Sequence, residues 1–311
     1  MGVTYRYRAV SGRHVGDCHV LASRHHEELG NARDTGEFYL LRSRGGALHV
    51  ALRERRWLTG LWRSPSGRVF VSAADGTVAT AAPAEPGDER WTTTALPAVL
   101  GGVWGLHDDL VFAAGTRAHQ PVLFQLSGGR WSEVECPGYV TDIAFLDERV
   151  GALCGHGGLL ARWDDGAWRR LPSPVSSAIQ RVSIASPDEM YAQAGDHGIL
   201  EGSASGWVEL ARLPYVITAL AAHRGKLWVA VHGHALCRFH DGVLTPHEAG
   251  FPVTAFDARE QLLGVSDELV GSSEDGAAFD LLGVDRFVAL ARREEPWWMA
   301  DPELRDLGDA P

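Results

Sequence analysis

Between Leu58 and Phe279 the chain repeats one pattern six times: an apolar strand, a polar turn, an apolar strand ending in glycine, a third strand, then a Trp-like residue. That last mark falls at Trp91, Trp131, Trp168, Trp207, Val243 and Phe279, at intervals of 40, 37, 39, 36 and 36 residues. Four short strands in a period of about 40 residues mark the blade of a β-propeller, a unit that buries its faces only by stacking on copies of itself. The strands read as LTGLWRS, RVFVSA, TVATA and RWTTT in the first full unit, and comparable runs begin at Gly102, Val140, Gln180, Val216 and Val253. Each is rich in Val, Leu and aromatics and is bounded by Gly, Asp, Ser or Pro, as strands should be.

A ring must close. Phe287-Val288-Ala289-Leu290-Ala291 stands where a further inner strand is due, and FYLLRS (from Phe38) with ALHVALR (from Ala47) supply outer strands. The expectation is an all-β, seven-bladed propeller of four-stranded antiparallel blades. A composite blade from N- and C-terminal strands closes it, with a six-bladed ring as the alternative. Residues 1–292 form the propeller, with 11–36 read as a loop insertion holding a short helix over SRHHEEL. Residues 293–311 form an acidic tail with a helix-cap pattern at Asp301-Pro302. The paired histidines and acids His25-His26-Glu27-Glu28 read as solvated surface.

Composition narrows the function. A formal net charge of −11 argues against nucleic-acid binding, which needs a basic footprint. No signal peptide and no run of about 20 apolar residues is visible, so the expectation is a cytoplasmic protein that does not enter membranes. One lysine among many arginines, with abundant Ala and Gly, points to a GC-rich, bacterial genome. Cys18, Cys136, Cys154 and Cys237 lack metal-ligand spacing and read as reduced structural thiols.

The turns carry a resemblance. Glycine turns after the second strand occur at Asp75-Gly76, His156-Gly157-Gly158 and Asp196-His197-Gly198. An Asp-Gly-x-Trp turn precedes the fourth strand at Asp165-Gly166-Ala167-Trp168, with variants at Gly129-Arg130-Trp131, Gly206-Trp207, Asp241-Gly242 and Asp275-Gly276. On these the chain resembles bacterial β-propellers of the WD40, YVTN and kelch-like superfamily, and in pattern the Ycf48-like and Asp-box (BNR) repeats. The full Ser and Asp spacing of the Asp-box is met nowhere, and the GH and WD dipeptides are missing as a set. The resemblance therefore implies an architecture and no particular activity.

Two surfaces are candidates. On the face carrying the fourth-to-first and second-to-third strand connections, Tyr139, Arg181, Tyr215 and Phe251 fall where the chain enters an inner strand. His156, His197 and His232 lie on turns of the same face. These would bind a partner at the channel, or else the rings wedge between blades. Equivalent turns lie too far apart for the histidines to share a metal, and no cofactor is expected. On the opposite face Asp108, Asp109, Asp147, Glu148, Asp188 and Glu189 form acidic turns that could steer a basic partner or merely serve the turns. No nucleophile elbow, zinc-protease motif or P-loop is present. The reading is a monomeric, non-catalytic scaffold for a protein partner, with a basic partner as one option. The alternatives are a propeller enzyme acting on glycans or small substrates, and an immunity-type inhibitor of a basic toxin or nuclease. Trp297-Trp298-Met299 either caps the disc or anchors a partner.

Overall fold

A computed structural model describes residues 3–26, 37–44, 46–85, 88–203, 205–233, 236–247, 251–266 and 269–283. These form seven antiparallel sheets of four strands each. Blade I holds β1 (Val3–His14), β2 (Asp17–His26), β3 (Phe38–Arg44) and β4 (Ala47–Glu54). Blade II runs from β5 (Leu58–Arg63) through β6 (Val69–Ala73) and β7 (Thr77–Ala81) to β8 (Trp91–Ala95). Blade III has β9 (Val99–His107) to β12 (Arg130–Val134), and blade IV β13 (Val140–Phe145) to β16 (Ala167–Arg170). Blade V has β17 (Ile179–Ser186) to β20 (Gly206–Arg212), blade VI β21 (Ile217–His223) to β24 (Val243–Pro246), and blade VII β25 (Ala255–Asp257) to β28 (Asp280–Gly283). The first strands of successive blades touch in sequence and β25 touches β1, so the ring closes with the first strands innermost.

The closure differs from the composite blade expected. All four strands of blade I come from the N-terminal residues, with β1 as its inner strand. Residues 11–26, expected as an insertion with a helix, complete β1 and form β2, which takes in Ser23 to His26 of the expected helix. The strand is hidden in the sequence because one of its two buried faces carries His19 and Ser23 on either side of Leu21, which interrupts the apolar run. Phe287–Ala291, residues 27–36 and the tail lie outside the described residues.

Hydrophobic clusters occupy the seven junctions, one each. Alternate residues of a middle strand face opposite neighbours: Leu153 packs toward blade III, while Ala152 and Cys154 pack toward blade V. Both faces of every blade are therefore core, which is why these strands read as continuous apolar runs. The periodic Trp mark leans on the preceding blade. Trp91 packs on blade I and donates its indole N–H to Ala51 O at 3.0 Å. Trp168 buries against Phe112 of blade III, and Trp207 against Cys154 of blade IV. Blade VI breaks the reading by one residue: Val243 is 61% exposed and Leu244 takes the packing position. A one-residue slip exchanges the faces of a strand.

Side chains also stitch inner strands together. Ser11 Oγ accepts from Arg63 N at 2.9 Å, Ser183 Oγ from Ala222 N at 2.9 Å, and Asp257 Oδ2 from Gly12 N at 3.0 Å. In each case the acceptor lies on one inner strand and the amide on the inner strand of the next blade. Thr141 and Thr218 donate their hydroxyls to Ile179 O and Val253 O, again one blade on. Inner strands approach so closely that a Cβ on Gly60 would lie 2.7 Å from Val103 N.

The closing junction carries the densest network. Asp257 receives Gly12 N–H, the Ser11 hydroxyl and a two-pronged contact from Arg259, whose Nε lies 2.7 Å from Oδ1. Arg259 also donates to Arg63 O and to Ser11 Oγ, and stacks over Trp62. Arg63, itself buried, reaches back to blade I through Asp17 at 3.0 Å. Burial works against ionising Asp257, but Arg259, the Gly12 amide and Ser11 outweigh it and hold the carboxyl below its ordinary pKa. Among the described residues no strand is shared, and these polar contacts, the bond from Val15 N to Ser272 Oγ and one apolar cluster join the two ends of the array.

Candidate functional site

The residue immediately before each inner strand sits where the chain arrives from the outer rim at the axis. Its carbonyl is held by the first residue after the second strand: Ala74 N to Trp57 O, His156 N to Tyr139 O, Gly195 N to Ala178 O and His232 N to Val216 O, at 2.7–2.9 Å. This pairing fixes the backbone and leaves the side chain at the mouth of the axis. Trp57, Tyr139 and Val216 occupy such positions, Arg6 in β1 and Val99 in β9 match them by register, Pro252 lies on the approach to β25, and all six are exposed. On the inner strands just below, Gly101, Arg181 and Thr254 are exposed too, so the space that they surround is open to water.

The consequence is a crown of apolar side chains around one mouth. Trp57, Val99, Tyr139, Tyr215 and Val216 are each 40–58% exposed, on blades II, III, IV and VI. Among the described residues the other large exposed apolar side chains are scattered: Val50, Val208, Leu210, Val243 and Leu281 on outer strands, and Leu146 on the opposite face. Scattered singles need no explanation, whereas a cluster on one face does. The crown is also held in place. Tyr139 stacks edge-on against His156 and donates its hydroxyl to His119 O, while Arg8 lies over Phe38 and Trp57. Side chains ordered before a partner arrives lose less entropy on binding.

Of the residues singled out from sequence, Tyr139, Tyr215, Arg181, His156 and His232 are exposed at this mouth or beside it. His197 is half-buried, with its ring bonded to Tyr215 O at 2.9 Å, so it positions the loop that carries Tyr215. Phe251 must be withdrawn as a binding residue. It is 4% exposed and wedged edge-on against Phe279 at the junction of blades VI and VII, where its ring belongs to the buried cluster with Trp228, Val253 and Leu262. Among the described residues no three His, Cys, Asp or Glu side chains gather closely enough to hold a metal. Trp57 and Val99 were missed because they precede the strands in which the repeat was sought.

The acidic turns are largely occupied by local work. Asp108 accepts from Ser66 at 2.9 Å and faces Arg68 at 3.7 Å. Asp147 caps its own turn through Arg149 N and Val150 N, and Glu189 accepts from the Tyr191 hydroxyl at 2.7 Å. Asp109, Glu148 and Asp188 remain exposed, Glu148 beside His107 at 3.6 Å. Within the axis stands one more carboxyl, Asp142, which accepts from Val182 N at 3.0 Å. Burial raises its pKa, and Arg181 only partly opposes this.

No family model matches the chain, and no curated protein matches it in sequence. Solved structures match in shape. The virginiamycin B lyase of Staphylococcus aureus aligns with a TM-score of 0.58 at 16% identity, over 73% of this chain and 84% of that one. The WD40 propeller domain of Doa1 gives 0.62 at 9% identity, over 86% and 92%. YCF48 bound to a D1 peptide gives 0.54 at 13% identity, over 73% and 82%. At such identities the likeness is one of fold alone. With its sevenfold ring of four-stranded sheets and its recurring blade pattern, the chain is a β-propeller repeat protein.

Proposed function

We propose that this protein is a non-catalytic scaffold that docks a protein partner on the crown of Trp57, Val99, Tyr139, Tyr215 and Val216. The observation that carries the reading is the convergence of exposed, pre-ordered aromatic and aliphatic side chains on one mouth of the ring. Aromatic anchors of this kind supply most of the binding energy in protein interfaces. YCF48, of the same fold, is bound to a peptide, and that supports a peptide or protein as the class of ligand here. The scaffold works as a monomer in the cytoplasm, and a basic partner would have its second contact at Asp109, Glu148 and Asp188 on the far face.

The test is retention on immobilised full-length protein, comparing wild type with Trp57→Ser/Tyr215→Ser and with Asp109→Ser/Asp188→Ser. A partner held by wild type and by the acidic-face variant, and lost with the crown variant, is the expected result. Retention indifferent to the crown substitutions sinks the reading.

A second reading, chemistry within the axis, has a single observation behind it: Asp142, a carboxyl held toward its protonated form beside Arg181. Turnover of a substrate by purified protein, abolished in Asp142→Asn, would establish it in place of the scaffold.

A further inference from the structure

Resting on the crown as a docking site, we propose that its resident ligand is the protein's own C-terminal segment, with Trp297, Trp298 and Met299 seated on the crown in cis. Four observations converge on this occupant. The described chain ends at Gly283, which pairs with Leu269, the first residue of its neighbour strand; this places the end of β28 on the crown's face. In blades II and III the outer strands likewise end, at Ala95 and Val134, and are followed within a few residues by Val99 and Tyr139 of the crown. The segment therefore starts where chain elsewhere turns inward to the mouth.

Its length suffices. Trp297 lies 14 residues beyond Gly283. Extended chain spans at most about 3.3–3.6 Å per residue, so roughly 45–50 Å is within reach. Four strands spaced about 4.8 Å apart set the outer strand only about 15 Å from the inner one. Charge also matches: Glu294, Glu295, Asp301, Glu303, Asp306 and Asp309 flank the tryptophans with Arg305 as the one cation from Glu294 onward, and the mouth exposes Arg6 and Arg181. Finally, the chemistry fits. Two indoles and a thioether are the side chains best suited to an apolar ring of Trp, Tyr and Val.

A tethered ligand of this sort is a competitor. A short linker gives it an effective concentration of the order of millimolar, so an external partner must outbid it or displace it. The crown would then be covered at rest and exposed on demand.

The test uses the full chain and its Trp297→Ala/Trp298→Ala variant. Hydrogen exchange of the amides around Val99, Tyr139 and Val216 is expected to speed up several-fold in the variant, independently of protein concentration. Identical exchange overturns the proposal. So does protection that rises with concentration, which would mean a second copy's segment on the crown. A labelled synthetic peptide of residues 291–311 should bind the variant about tenfold more tightly than wild type, because the tethered competitor is gone. Failure of the peptide to bind the variant, or binding undiminished when Trp57→Ser/Tyr215→Ser is added, also overturns it. Those outcomes leave the crown free to serve an external partner, whose loss is read separately by the retention experiment.

Discussion

Removing the Asp257 carboxylate tests what holds the ring shut. Asp257→Ala strips an acceptor from Gly12 N–H, from the Ser11 hydroxyl and from both prongs of Arg259. A buried amide left without a partner costs about 1–3 kcal/mol, and breaking a buried ion pair about 3–5 kcal/mol. Here the second figure is discounted, because the Arg259 side chain is 36% exposed and water replaces part of what it loses. The combined expectation is a loss of about 3 kcal/mol. Asp257→Asn keeps an acceptor for Gly12 and loses only the charge, so about half of that loss is expected. Urea unfolding at pH 7 measures both, and amide exchange at Gly12 reports whether the damage starts at the junction of blades I and VII. An Asp257→Ala protein within about 0.5 kcal/mol of wild type, with Gly12 as protected as before, would refute the argument that a polar clasp closes the ring. The clasp has an acid limit as well. The folded pKa of Asp257 lies below its unfolded value, so its contribution is complete above the unfolded value and is lost as pH falls through the folded one.

Other expectations follow from single sites. His19 is buried as the neutral ring, with burial first, then Arg63 and Arg42, pushing its pKa down to about 3. The unfolded chain therefore takes up a proton that the folded one refuses, and stability should fall by about 1.4 kcal/mol per pH unit below roughly pH 6.5. His19→Gln should remove that slope from a pH series of unfolding curves, and an unchanged slope contradicts the assignment. Gly276 has φ +81°, and a Cβ there would meet Trp228 at 1.9 Å. Gly276→Ala should cost about 3 kcal/mol, from left-handed strain plus overpacking, read as a drop in Tm; a shift of under a degree would be wrong. In thiol labelling of native protein, Cys136 should react first. Cys18, Cys154 and Cys237 are buried, and burial drives the Cys18 thiol up to about 12. Rapid labelling of a second thiol would show that the blades part more readily than their packing allows.

The repeat was legible because every blade buries both faces, which stamps the same apolar runs onto the chain at a fixed interval. Blade II was read almost to the residue, since turns such as Asp75-Gly76 bracket it. Blade I was not. Its second strand places His19 and Ser23 in the core, so neither alternation nor an apolar run betrays it. Val243 shows a subtler failure: residue type marked the strand correctly, but which of two adjacent side chains turns inward depends on pairing with the strand Leu236–His240 that no local pattern encodes. Tyr139 and Tyr215 were found by position relative to the inner strands. The same rule, applied one residue before Leu58 and Leu100, would have added Trp57 and Val99. Phe251 obeyed the rule in sequence and not in space, because the turn leading into β25 lets its ring drop onto Phe279.

Because, among the described residues, every blade is one unbroken stretch of chain and the ends of the array meet without sharing a strand, no blade there depends on strands borrowed from a distant part of the gene. New termini could be opened between any two blades, and the old ones linked, without dismantling a sheet. The ring is also free to gain or drop a unit by simple duplication or loss. The seam is thus where such a molecule would be rewritten, while its crown turns with whichever blades remain.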